Sequence, residues 1–306
     1  MRGGSLAVAA AVVLQGAAAA AAPSFYASPE AAVSAVVAAL EAEDPAALVA
    51  VFGEEYEDLV FTGDVAEDRA TWGEFLSDYR TLHRVAPDGE DRAVLYTGRD
   101  QWPFPAELVR TGDGWFFDGA AAREEIELRR LGQNELDVIE LMHGYVRAQA
   151  DYRKVDYDGD GVLQFASGIL SDPGKRDGLY WPEEPGAPES PIGDFMARAA
   201  ADGYAVDGAD VEPEPYLGYY YRVLQGQGPA APGGAFDYML AGHMLAGHAL
   251  LAFPAAYGES GIMSFMVGES GVVYEADLGE DTLAVGGAIE RFDPGEGWSS
   301  VEEQAP

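Results

Sequence analysis

Gly258-Glu259-Ser260-Gly261-Ile262-Met263-Ser264-Phe265-Met266-Val267-Gly268-Glu269-Ser270-Gly271-Val272-Val273-Tyr274 is the stretch on which the fold turns. The tetrapeptide Gly-Glu-Ser-Gly occurs twice, ten residues apart, and brackets a six-residue apolar run. Two matching glycine turns around such a run describe a β-meander, with Val272-Val273-Tyr274 as its last strand. Upstream, Leu217 to Leu224 reads as a strand, followed by Phe236–His243 and Gly247–Phe253. The pentad Met-Leu-Ala-Gly-His is repeated at 239–243 and 244–248. It is too short for a solenoid unit and reads as coincidence inside a glycine-punctuated strand pair.

Further outward the period changes from two to 3.6. Glu124 to Tyr152 carries an apolar stripe of Ile126, Leu131, Leu136, Ile139, Met142, Tyr145, Val146 and Gln149, which predicts a long amphipathic helix, or two helices where Gly132 breaks it. From Asp151 to about Pro191, Gly, Pro and Asp predict loops, and Ile192–Gly203 predicts a short helix with Phe195, Met196 and Ala199 on one side. Nearer the N-terminus, Ser28-Pro29-Glu30 has the N-cap, first-turn proline and acidic start of a helix. That helix runs toward Leu40, Asp44-Pro45 interrupts it, and Ala46–Phe52 resumes. A third helix is expected from about Trp72 to His83 on Leu76, Tyr79 and Leu82. Ala93–Thr97, Glu107–Arg110 and Trp115–Phe117 then read as a small antiparallel sheet.

The expected fold class is therefore α+β in two parts. Residues 28–119 form a helix-plus-meander domain, and residues 124–298 pack a long helix on a C-terminal antiparallel sheet, with 299–306 as a tail. Residues 1–22 read as an export signal: Arg2, the apolar run Leu6–Leu14 and an alanine tract to Ala22 with several A-x-A sites. That run is about half the roughly 20 residues a bilayer-spanning helix needs. No later stretch reaches 18 apolar residues, so a periplasmic or secreted location without a membrane anchor is expected.

Composition narrows the function classes. The 306 residues include no cysteine, which excludes disulfides and thiolate chemistry. Lys and Arg number 18 against 53 Asp and Glu, a formal net charge of −35, so a nucleic-acid partner is excluded and divalent cations would be attracted. A proteome-wide bias toward Ala, Gly, Asp and Glu would also give such acidity. The 11% aromatic content excludes a disordered chain.

The sharpest chemical motif is Asp156-Tyr157-Asp158-Gly159-Asp160-Gly161-Val162-Leu163. Asp156, Asp158 and Asp160 at alternate positions, a following glycine and the Val162 carbonyl match the first half of a calcium loop, with Leu163 as its expected anchor. The twelfth position is Ser167, where a bidentate Glu is expected, so a plain acidic turn is the competing reading. His243 and His248, five apart, fall on opposite faces of a strand and make a poor chelate. Gly-Glu-Ser-Gly is not a nucleophile elbow, and no phosphate-cradling glycine loop is present. Tyr180, Trp181, Tyr216, Tyr219–Tyr221, Phe236 and Tyr238 would either line a groove for a glycan or peptide or form core packing.

Several long blocks in order resemble domain of unknown function (DUF) 2950. They are Arg129–Leu136, Tyr145–Gln149, Asp172–Pro182, Gly218–Arg222, Gln227–Gly234 and Tyr257–Gly261. The likeness spans about Ser28 to Trp298 and implies an exported bacterial protein with no catalytic residues to carry over. The N-terminal order of helices then meander resembles nuclear-transport-factor-like domains. The C-terminal part is similar to pilin and pseudopilin globular domains: a helix ending Ala148-Gln149-x-x-Tyr152, a loop, then Ser264-Phe265-Met266-Val267 and Gly271-Val272-Val273-Tyr274. It departs from pilins in placing the helix inside the chain, so filament assembly is not implied. The expected function is binding or structural, non-catalytic, toward an envelope protein, peptide or glycan. The alternative is a cell-wall or glycan hydrolase using paired carboxylates in an aromatic groove.

Overall fold

The computed structural model describes residues 21–186, 188–193, 200, 204–206, 209–211 and 213–301. Helices and antiparallel sheets segregate along the chain in an α+β arrangement. The chain divides into two compact units, Met1–Ile126 and Glu127–Pro306.

In the first unit, α1 (Pro29–Glu41) starts where Ser28 Oγ accepts the Ala31 N–H, and α2 (Pro45–Phe52) where Asp44 Oδ1 accepts that of Ala47. Helix α3 (Val65–Thr81) begins seven residues earlier than the apolar spacing predicts. Its first two turns bury no apolar residue, and the start is set by Asp64 Oδ1, which accepts the Ala66 and Glu67 N–H groups. The sheet comprises β1 (His83–Pro87), β2 (Arg92–Thr97), β3 (Trp102–Pro103), β4 (Leu108–Thr111) and β5 (Gly114–Phe117). Its path is β1-β2-β4-β5, with β3 also on β2. Strand β1 lies where the third helix was expected to end. Ala93, Leu95, Leu108 and Phe117 pack with Val33, Val36, Leu48 and Phe52 as this unit's core.

Helix α4 (Gly119–Tyr152) is continuous through Gly132, which has open space around it. In the second unit its buried line is Leu131, Val138, Met142, Tyr145, Gln149 and Tyr152. Leu136, expected in the stripe, is 56% exposed. Short ladders follow. Strands β6 (Gly168–Leu170) and β7 (Gly178–Tyr180) pair in parallel within the segment expected to be all loop. A Cβ at Gly178 would overlap the Leu170 backbone, which is why glycine stands there. Strands β8 (Tyr204–Val206) and β9 (Ala209–Val211) pair antiparallel. The helix expected at 192–203 lies largely outside the described residues, as does the export signal.

The main sheet uses β10 (Tyr219–Leu224), which precedes the small strands β11 (Gly226–Gln227), β12 (Phe236–Asp237), β13 (Met239–Leu240) and β14 (His243–Met244). It continues with β15 (Ala249–Pro254), β16 (Met263–Gly268), β17 (Val273–Asp277) and β18 (Ser299–Ser300), in the order β10-β15-β16-β17-β18. Every neighbour is antiparallel, so the meander predicted around the glycine repeat is present. Ser299 and Ser300, expected in the tail, close the sheet edge against β17. All six residues of β15 are buried, because both faces of the sheet are covered. Tyr145 of α4 donates to the Ala249 carbonyl at 3.1 Å, and Gly286 of α5 (Thr282–Gly287) lies against the Phe253 ring.

Candidate functional site: the acidic loop after helix α4

The loop begins four residues after α4 ends. Asp156 Oδ1 accepts the Gly159 N–H at 2.8 Å and Oδ2 that of Gly161 at 2.9 Å. Asp160 Oδ1 accepts the Val162 N–H at 2.7 Å. Asp158 Oδ2 accepts from Gln164 Nε2 at 3.1 Å. Gly159 (φ 74°) and Gly161 (φ 87°) supply the left-handed turns that bring these groups round. One carboxylate oxygen from each of Asp156, Asp158 and Asp160 lies within 4.8 Å of the others.

That proximity appears in the proton equilibria. The Gly161 and Gly159 N–H groups hold the Asp156 carboxyl below its ordinary value. Burial, then the hydrogen bond to Asp156 and the charge of Asp160, push Asp158 up. Three acids at this spacing repel, and a hard cation relieves the repulsion. The donor set suits such a cation in part. Three carboxylates converge, whereas Val162 and Gln164, at the seventh and ninth positions, turn N–H groups toward Asp160 and Asp158.

The second half of the calcium-loop pattern is missing. Ser167 directs its N–H and hydroxyl to the Asp177 carbonyl, at 2.8 and 3.2 Å, so the twelfth position serves the β6–β7 pairing. Leu163, expected to anchor the loop, is 51% exposed. The anchor is Phe165, which is buried and whose N–H donates to the Met244 carbonyl at 2.9 Å. The Arg153 guanidinium sits over its ring, 4.5 Å from the centroid. Gln149 of α4 grips the next residue from both sides: its Oε1 accepts the Ala166 N–H and its Nε2 donates to the Ala166 carbonyl.

The structure adds a residue that sequence reasoning missed. His243 Nδ1 lies 3.5 Å from Asp160 Oδ2 and 3.3 Å from Gln164 Oε1. Nothing in the local sequence signals this, since the partners are about eighty positions apart. Both pentads of the repeat thus meet the loop's exit segment, His243 at Gln164 and His248 at Phe165, with the rings of the latter pair 4.6 Å apart.

Four of the eight aromatic residues offered for a groove belong to the core. Trp181, Tyr219, Tyr221 and Tyr238 are buried. Their polar atoms are taken by the Pro188, Met263 and Tyr216 carbonyls and by Gln227 Oε1. These four therefore do not line a groove.

A second constellation of polar side chains joins α4 to the first Gly-Glu-Ser-Gly. Arg130 Nη2 donates to the Glu259 carbonyl and Asn134 Nδ2 to that of Ser260, both at 3.0 Å. Glu135 Oε1 accepts the Ile262 and Met263 N–H groups at 2.9 and 3.0 Å. Nearby on β17, burial and the Glu135 charge raise the Glu275 carboxyl. Three of the sequence blocks, Arg129–Leu136, Gly218–Arg222 and Tyr257–Gly261, meet here, because Gly218 lies tightly against Ser260.

Among the described residues no helix is long and apolar enough to cross a membrane. No curated protein and no solved structure matches the chain, so the likenesses to nuclear-transport-factor-like and pilin domains gain no structural neighbour. A family model described as "Protein of unknown function (DUF2950)" matches residues 24–301, the span that contains every block and both constellations, and the chain belongs to that family.

Proposed function

We propose that this is an exported, non-catalytic envelope protein that binds or scaffolds a protein, peptide or glycan, and that its acidic loop takes calcium. The observation that carries the non-catalytic reading is where the polar side chains of the shared blocks are directed. Arg130, Asn134, Glu135, Gln149 and Gln227 each hold at least one backbone group, and Arg130, Gln149 and Gln227 also bond the side chains of Glu127, Tyr145 and Tyr238. Side chains used this way fix loops in place, and a catalytic group needs a free face toward substrate. Export rests on the leader-like residues 1–22.

Hydrolysis by paired carboxylates has one observation in its favour, the raised Glu275 beside Glu135. Glu135 is the weak member of that pair, since one of its oxygens already holds two N–H groups.

For calcium, the support is the convergence of the Asp156, Asp158 and Asp160 carboxylates at the first, third and fifth positions of a calcium-loop pattern. The missing twelfth-position carboxylate places the expected dissociation constant at about 10⁻⁴ to 10⁻³ M, the range of extracellular modules. Isothermal titration of the chain with calcium should give saturable heat that Asp158→Ala abolishes. Heat no greater than dilution in the parent chain removes the calcium assignment.

A further inference from the structure

His248 ends the second pentad and is 1% exposed. Its ring meets those of Tyr145 and Phe165 edge-on, at 5.2 and 4.6 Å. Its Nδ1 has no hydrogen-bond partner among the described residues. The groups around it are identifiable element by element. Helix α4 presents Tyr145, and the charge of Arg153, just after the helix, acts on the ring. The loop's exit segment presents Phe165. Tyr238 and Glu269 flank the neighbouring Gly247. Tyr145, whose hydroxyl accepts from Gln149 and donates to Ala249, ties this box to α4 on one side and to β15 on the other.

We propose that His248 is a proton-operated latch that holds the segment Gln164–Ala166 against α4 while neutral and releases it when protonated. A charged imidazolium in this box would have two N–H donors, with no acceptor at Nδ1 and Arg153 close by. Burial first, and Arg153 second, lower the His248 pKa from 6.5 to about 4. A pKa lowered in the closed form means the latch is fully engaged above the open-form value of 6.5. It weakens as the pH falls from there toward 4. The segment released is the exit of the acidic loop, because Phe165 bonds Met244 and Ala166 bonds Gln149. This inference does not depend on an ion in that loop.

Amide hydrogen exchange of the full chain, with a chelator present, tests it at pH 7 and pH 5 after correction for intrinsic exchange. Protection of the Phe165 and Ala166 amides should fall roughly 20-fold between the two, the ratio that a shift from 6.5 to about 4 implies. Leu251 and Phe265, inside the main sheet, should keep theirs, and His248→Phe should remove the fall. The latch is overturned by unchanged protection in the parent chain, by the same fall in His248→Phe, or by an equal fall at Leu251 and Phe265. Should His248→Phe not fold, an NMR titration of the His248 ring in the parent chain decides. A midpoint below about 5.5 supports the latch, and one at or above that value overturns it.

Discussion

The two copies of Gly-Glu-Ser-Gly are identical in sequence and differ in almost everything the fold does with them. The second, Gly268–Gly271, is a plain hairpin turn between β16 and β17, closed by the Gly271 N–H on the Gly268 carbonyl. Gly271 has nothing near the position of a Cβ. The first, Gly258–Gly261, lies in the longer connection between β15 and β16. Ser260 Oγ accepts the Ala256 N–H, and three α4 side chains hold the loop's backbone. A Cβ at Gly261 would overlap the Tyr219 hydroxyl and lie 2.5 Å from its Cζ. The same four residues serve as a connector in one place and as a docking surface in the other. The context supplied by α4 and β10 makes the difference.

Substitution of the last glycine in each copy separates the two roles most sharply. Gly261→Ala forces a methyl into a buried tyrosine whose hydroxyl is already bonded to the Met263 carbonyl. Overpacking of this kind costs about 3 kcal/mol, or roughly 10 °C in the melting of a unit this size. Thermal melting should show that drop. A loss below about 1 kcal/mol would mean that the first loop is no more docked than the second.

The clasp itself comes next in size. Glu135→Ala leaves the Ile262 and Met263 N–H groups without their carboxylate acceptor. Charge-assisted bonds at a half-exposed site put the loss at about 2 kcal/mol in urea unfolding. A second readout distinguishes lost contact from general damage. The Glu275 carboxyl, raised by burial and by Glu135, should titrate closer to its ordinary value in the variant. An unchanged Glu275 titration would show that the two acids are not neighbours in solution.

The contrast between the copies also marks what could be read ahead of the structure. The meander was legible because glycine turns and a two-residue period are local signals, and the calcium-like half-loop was legible because Asp156, Asp158 and Asp160 are adjacent in the chain. Helix α3 started too late in the reading because its first two turns bury no apolar residue and only Asp64 announces them. The clasp and the His243 contact were illegible for a different reason. Arg130, Asn134 and Glu135 look like ordinary helix polar residues, and their partners are backbone groups more than a hundred positions away. Backbone donors and acceptors carry no sequence signature. Leu163 and Leu136 misled because an apolar residue at the right spacing is assumed buried, while the fold gave those places to Phe165 and Val138.

The smallest effect belongs to the second copy, and it sets the baseline for the other two. Gly271 has φ 77°, a left-handed conformation that costs an L-residue more than it costs glycine, yet the space around it is open. Gly271→Ala should therefore lose about 1 kcal/mol through backbone strain alone, with no change in the core. Because the strain comes from the Cβ, Gly271→Asn, whose side chain tolerates this region, should recover part of the loss, and no such rescue is expected at Gly261. Urea melts of the three variants measure both points. A Gly271→Ala loss as large as that of Gly261→Ala would erase the distinction between connector and docking surface, since turn geometry would then account for both.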